Sequence, residues 1–230
     1  MKKVSIVGTT SWGTTLAMVL ARNGFQVVLL ARTSDEAIGL ERDKENKRML
    51  PGYHFPENIL VTASKDEALS DSSMVVFAVP SKSLRDNLRS LSYQIESDSM
   101  IVSATKGLEK GSAKRMSQIM SEELSEGLHA KICVLSGPNL ANEIASGRPA
   151  STVIASEDEE VAIQAQSLFM STKFRVYTSD DMVGVELGGS LKNIIALGAG
   201  ISDGLSYGDN GKAAFITRGL VEITRLGVAA

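Results

Sequence analysis

The chain has 230 residues, 43% of them hydrophobic and 22% charged, with a formal net charge of −3. Such a length buries a substantial core, the apolar content excludes disorder, and the weak negative charge excludes a basic nucleic-acid surface. An anionic ligand must therefore be held by local features.

The first predicted element is a strand over Val4 to Val7, running into Gly8-Thr9-Thr10-Ser11-Trp12-Gly13. A helix follows, with Trp12, Leu16, Val19 and Leu20 recurring at helical spacing. Strand, glycine turn and helix together form the setting of a dinucleotide fingerprint. Its first glycine allows the bend, its second lets the backbone approach a pyrophosphate, and its third lets helix pack on strand. Gly8 and Gly13 fill the first and third places, while Thr10 stands in the second. Its side chain is expected to push the pyrophosphate outward or to open the loop. The free N–H groups and positive end of the helix still attract phosphate.

The second strand, Gln26 to Leu30, ends in Ala31-Arg32. A site specific for NAD presents an acidic side chain there, whereas arginine suits a 2′-phosphate, so Arg32 predicts tolerance of NADP. Further strands are predicted over Ile59 to Thr62 and Met74 to Val79, the latter closed by Pro80 at its carboxyl end. A helical stretch over Arg85 to Leu91 precedes the strand Ser99 to Ser103, after which Ala104-Thr105-Lys106-Gly107-Leu108 sets Lys106 at a strand's carboxyl end. Ligands of open parallel sheets bind at that edge. A second helical stretch covers Lys114 to Leu124. The strand Ile132 to Ser136 leads into Gly137-Pro138-Asn139 and a helical run from Leu140 to Ser146, so N–H groups and an amide side chain converge. Two more strands are predicted over Ser151 to Ala155 and Phe174 to Thr178, and the acidic run Glu157 to Glu160 reads as a solvated helix start.

Strands alternating with helices define an α/β fold, a Rossmann-like, mostly parallel, doubly wound sheet. After Asp180 the texture changes, because Met182 to Ser202 and Gly211 to Leu226 read as helices with no strand between them. Residues 1–180 are therefore assigned to a dinucleotide-binding Rossmann domain, and residues 181–230 to the start of an all-α C-terminal domain, incomplete here. Two such helices cannot close a core of their own. They dock on the first domain, pair with another subunit as in a homodimer, or belong to a longer protein.

Cys133, the single cysteine, lies in an apolar run and reads as a buried strand thiol; His54 and His129 read as surface residues, and no metal site is assigned. With no secretory segment and no run of membrane-spanning length, a cytoplasmic location without membrane insertion is expected.

The most specific stretch runs from Gly184 to Leu197. Gly188 and Gly189 each cost a helix about 1 kcal/mol relative to alanine, which points to close backbone approach. Lys192 follows them by four and three residues, on or near the face they leave bare.

Taken in order, Ser11-Trp12-Gly13-Thr14, Leu50-Pro51-Gly52, Ala104 to Glu109, Ser136-Gly137-Pro138-Asn139-Leu140-Ala141 and Gly184 to Asn193 resemble the NAD(P)-dependent glycerol-3-phosphate dehydrogenases. Asp203-Gly204, Gly208-Asp209-Asn210 and Ile216 to Leu220 continue the likeness, which covers essentially the whole chain. The resemblance implies Ser11, Trp12, Arg32 and Ala141 at an NAD or NADP cofactor, beside Gly8, Gly13 and Pro80 of the turn and strand end already read from the residues, with Lys106 touching both cofactor and substrate. It implies Gly137 and Asn139 in the substrate site and Lys192 as the proton-transferring residue. Met49 stands where many members carry an aromatic cofactor neighbour, and Asn139 replaces a common hydroxyl residue while keeping hydrogen-bonding capacity.

The implied reaction is reversible hydride transfer between NAD(P)H and dihydroxyacetone phosphate, giving sn-glycerol 3-phosphate for phospholipid synthesis. Lys192 can supply the proton, provided that burial and a second cation, Lys106, lower its pKa from about 10.4. Members of the family continue past the segment matching Arg218 to Leu226 with residues that hold the substrate phosphate, so weak or absent turnover is expected of these 230 residues alone. The alternatives are a degenerate, non-catalytic nucleotide-binding relative and a dehydrogenase of another small hydroxy compound.

Overall fold

The structure is a computed structural model describing residues 2–230. Eight strands form one sheet: β1 Lys3–Val7, β2 Gln26–Leu30, β3 Ile59–Thr62, β4 Ser72–Phe77, β5 Met100–Ser103, β6 Ile132–Ser136, β7 Ala150–Ala155 and β8 Phe174–Ser179. Their order across the sheet is β3-β2-β1-β4-β5-β6-β7-β8. Neighbours from β3 through to β6 run parallel, with Ile6 in register with Leu29 on one side and Val76 on the other. β7 is antiparallel to β6, and β8 is parallel to β7.

Because side chains alternate along a strand, each central strand feeds two apolar layers. Ile6, Leu29, Val76 and Val102 point to the layer containing Leu16 and Leu20 of α1 (Ser11–Arg22). Val7, Val28, Val75 and Ile101 point to the other, which is filled by Leu84 and Leu88 of α4 (Ser81–Leu91) and Ile119 of α5 (Met116–Glu123). Helices α2 (Ser34–Asp43) and α3 (Lys65–Leu69) flank the β2–β3 side, and α6 (Ala141–Ala145) and α7 (Glu159–Phe169) complete the wrapping. α7 starts on Asp158, whose carboxylate accepts from Glu160 N and Val161 N, so the acidic run is a solvated helix start.

Strand order reverses beside β1, between β2 and β4. The helices following β1 and β4 therefore lie on opposite faces, and their loops part to leave a crevice at the strands' carboxyl ends.

Two long helices close the chain: α8 (Met182–Gly204) and α9 (Gly208–Ala229). The first half of α8 packs against β6 and β7, burying Met182, Glu186, Leu187 and Gly189. Its second half pairs with α9, where Phe215 lies over Gly198, yet Ile194, Leu197, Ile201 and Leu220 remain exposed. No helix among the described residues is long and apolar enough to cross a membrane.

Candidate functional site

The glycine turn is held by two contacts that only glycine permits. Gly8 has φ +110°, and a Cβ there would lie 2.8 Å from Val79 and 2.9 Å from the Ala78 carbonyl oxygen. A Cβ on Gly13 would stand 2.1 Å from the Gly8 carbonyl oxygen, so α1 sits directly on the end of β1. Thr10, in the second glycine's place, borders the cleft and has its hydroxyl tied into the turn. Its hydroxyl turns inward, donating to Ala78 O at 2.8 Å and accepting from Gly13 N at 3.0 Å as the N-cap of α1. The turn is thereby tied to the end of β4, and α1 gains a cap of the favoured type.

From this turn a cleft runs both ways along the sheet edge. One arm is lined by Ser11, Trp12, Lys106, Asn139 and Ala141; the other by Gly8, Arg32, Glu36 and Met49; Thr10, Val79 and Pro80 border both. Pro80 occupies the position just before α4. Two polar atoms bordering the first arm, Trp12 Nε1 and Asn139 Oδ1, are buried without a hydrogen-bond partner among the described residues. Asn139 is oriented by its own amide, whose Nδ2 donates to Ser151 O at 2.8 Å.

In the second arm, Arg32 is exposed as expected at the end of β2. Sequence reasoning passed over Glu36. It follows the N-cap Thr33 by three residues, a spacing that ordinarily signals a capping box, in which the glutamate bonds back to the cap's own N–H. Here the carboxylate reaches further, accepting from Arg32 N at 3.1 Å and from the Thr9 hydroxyl at 2.6 Å.

Lys106 leaves the end of β5 and Lys192 projects from α8, and both ammonium groups donate to the carbonyl oxygen of Gly137, at 3.0 Å and 2.6 Å. Burial, and then the charge of Lys192, push the Lys106 pKa down from 10.5 to about 8. The helix position follows from Gly189, which lies against Ser136 of β6. A further lock comes from Ser190, whose hydroxyl accepts from Gly107 N at 3.1 Å and donates to Glu186 O at 2.8 Å. Glu186 is itself buried, and its carboxylate accepts from Ser117 N, the Ser117 hydroxyl and Arg115 at 2.8, 2.6 and 2.6 Å. Both residues lie inside the glycine-rich stretch, but neither spacing nor composition signalled their roles.

The remaining candidates lie apart from this chemistry. Cys133 is fully buried in β6, and burial pushes its thiol up to about 12. His54 and His129 are exposed.

The family model for the N-terminus of NAD-dependent glycerol-3-phosphate dehydrogenase matches residues 3–162, and that for its C-terminus matches residues 181–230. The chain belongs to the NAD-dependent glycerol-3-phosphate dehydrogenase family. A glycerol-3-phosphate dehydrogenase [NAD(P)+] of Dehalococcoides mccartyi (strain 195) is 54% identical over all 230 residues, and one from Fusobacterium nucleatum is 45% identical over 229. The chain spans 64% of the length of the first and 68% of the second. Among solved structures, glycerol-3-phosphate dehydrogenase from Coxiella burnetii superposes with a TM-score of 0.89 at 38% identity, covering 99% of this chain and 69% of that one. The Saccharomyces cerevisiae enzyme gives 0.86 at 28% identity, covering 98% and 70%. A ketopantoate reductase from Ralstonia eutropha, at 17% identity and a TM-score of 0.61, shares the fold alone.

Proposed function

We propose that this chain carries the cofactor-binding and proton-transferring parts of an NAD(P)-dependent glycerol-3-phosphate dehydrogenase, interconverting dihydroxyacetone phosphate and sn-glycerol 3-phosphate in glycerophospholipid synthesis. The observation that carries this reading is the convergence of Lys106 and Lys192 on Gly137 O, with Lys106 also lining the cleft beside the glycine turn.

The residues present fit a dinucleotide. Gly8 and Gly13 create the close turn, and the N-terminus of α1, with Ser11 and Trp12, faces the cleft. In this reading Gly8, Ser11, Trp12, Gly13, Arg32, Pro80, Lys106 and Ala141 hold NAD or NADP, with Arg32 accommodating a 2′-phosphate. Held by these residues, the cofactor would supply a hydride for the carbonyl carbon, or accept one in the reverse direction. Lys106, Gly137, Asn139 and Lys192 form the substrate side. There Lys192 gives its proton to the ketone oxygen as negative charge develops, and Lys106 stabilises that charge. In the reverse direction Lys192, as free amine, takes the hydroxyl proton. Burial, and then the charge of Lys192, lower Lys106 to about 8, so it is Lys106 that loses its proton nearest neutral pH.

The same reading takes residues 1–180 as the dinucleotide-binding domain and residues 181–230 as the beginning of a helical substrate domain. It includes a cytoplasmic location and a homodimer; the exposed apolar side chains along α8 and α9 fit either a second subunit or the rest of the helical domain.

The test uses Trp12, the single tryptophan, as reporter. NADH should quench its fluorescence, and, because these 230 residues are expected to turn over weakly, excess dihydroxyacetone phosphate should then oxidise the bound NADH slowly, in a single turnover. Lys192→Ala should slow that oxidation by about a hundredfold or more while NADH affinity is kept. Absence of cofactor binding, or a Lys192→Ala variant as fast as its parent, would refute the proposal.

A further inference from the structure

We infer that Glu36 is the residue that sets the preference of this site between NAD and NADP, standing in from helix α2 for the acidic side chain that the end of β2 lacks. The inference rests on the dinucleotide reading of the cleft. In folds of this class, an acidic group at the end of the second strand accepts the adenosine ribose hydroxyls and repels a 2′-phosphate. Read along the chain, that position is Ala31-Arg32 and points to NADP.

The geometry changes the reading. The Glu36 carboxylate folds back over the first turn of α2, so that one oxygen accepts from Arg32 N at 3.1 Å and the other from the Thr9 hydroxyl at 2.6 Å. One anionic group thus bridges the carboxyl end of β2 and the glycine turn, and it lines the same arm of the cleft as Gly8 and Arg32. Each carboxylate oxygen has capacity for a second donor, so the group can accept from a ribose diol without giving up either protein contact. A 2′-phosphate in the same place would meet a fixed negative charge. It would also meet Arg32, Arg48, Lys65 and Lys82, the cations of this arm, which attract it. The site therefore carries opposing elements: cations that admit the phosphate and one carboxylate that favours the diol.

Parallel fluorescence titrations with NADH and NADPH test this, on the parent chain and on Glu36→Gln, Glu36→Ala and Thr9→Val. Removing the charge should weaken NADH and strengthen NADPH, shifting the ratio of the two dissociation constants by about tenfold toward NADPH in both Glu36 variants. Thr9→Val breaks the tie to the turn but keeps the carboxylate, and should leave the ratio unchanged. Competition by 2′-AMP against 5′-AMP reads the same preference without the nicotinamide, and should move in parallel. A change of ratio below about threefold in both Glu36 variants would overturn the inference. So would a Thr9→Val variant that reproduces the full shift, because the carboxylate would then act by holding the turn. Failure of the parent chain to bind either cofactor would overturn the dinucleotide reading itself, and the assignment of Glu36 with it.

Discussion

Gly189 of α8 lies so close to Ser136 of β6 that a Cβ on the glycine would sit 2.3 Å from the serine hydroxyl. Its neighbour Gly188 faces open space. The two glycines look alike in sequence and differ entirely in what they do. Gly189→Ala should drive the Ser136 hydroxyl to another rotamer within a packed contact and destabilise the fold by about 1 kcal/mol. Gly188→Ala should stabilise it by about 0.5–1 kcal/mol by removing a flexible residue from a helix. Urea denaturation of the two variants side by side checks both signs at once.

Glu186 holds α8 to the start of α5 through three hydrogen bonds, one of them from Arg115. The Glu186 side chain is 7% exposed and that of Arg115 17%, so deleting the carboxylate leaves a poorly solvated guanidinium and two stranded serine donors. Glu186→Ala should cost about 3–5 kcal/mol, the range for removing one partner of a buried pair. A midpoint of unfolding that hardly moves would show that water replaces the carboxylate.

The lowered pKa of Lys106 makes stability depend on pH in a particular direction. Below pH 8 the lysine is charged in both folded and unfolded chains, and the cost of burying that charge, with Lys192 beside it, is fully present. Between about 8 and 10.5 the unfolded chain keeps the proton that the folded chain has lost, so stability rises with pH. Lys106→Met removes the group, and should be most favourable relative to its parent at pH 7, with the advantage shrinking by pH 10. Denaturation midpoints at those two values decide the matter; an advantage that grows with pH would contradict the assigned shift.

Thr10→Val keeps the volume of the side chain and removes its hydroxyl. Gly13 N would lose its cap and Ala78 O its donor. A loss of about 1–2 kcal/mol is expected in thermal or urea unfolding. Were Thr10 only a spacer in a loose turn, the substitution would be neutral.

Much of this architecture is written in short-range pattern. Each strand is a run of four to six residues rich in Val, Ile and Leu, or in Thr and Ser where it nears an edge, and of the two glycines before Lys192 one, Gly189, makes the close helix contact that their spacing suggests, while Gly188 does not. The reversal of β7 is not legible in this way, because Ala150–Ala155 has the composition of any buried strand and its direction is set by the short connection through α6. The part Thr10 plays in holding the turn is not legible either, because spacing alone does not show that its hydroxyl bonds Ala78 O and Gly13 N. Glu36 escapes notice because an acidic residue in the first turn of a helix already has a sufficient local explanation in the helix dipole. Lys106 and Lys192 could be nominated separately, but their shared acceptor depends on how β5, β6 and α8 meet.

Gly137 offers a peptide oxygen with two lone pairs, and the fold spends both on ammonium groups. The work of bringing two like charges together is thus completed during folding, by the burial of α8 against the sheet. An electron-rich oxygen arriving between the two nitrogens would ease their mutual repulsion on contact, so part of the folding free energy becomes available to whatever transient negative charge forms there.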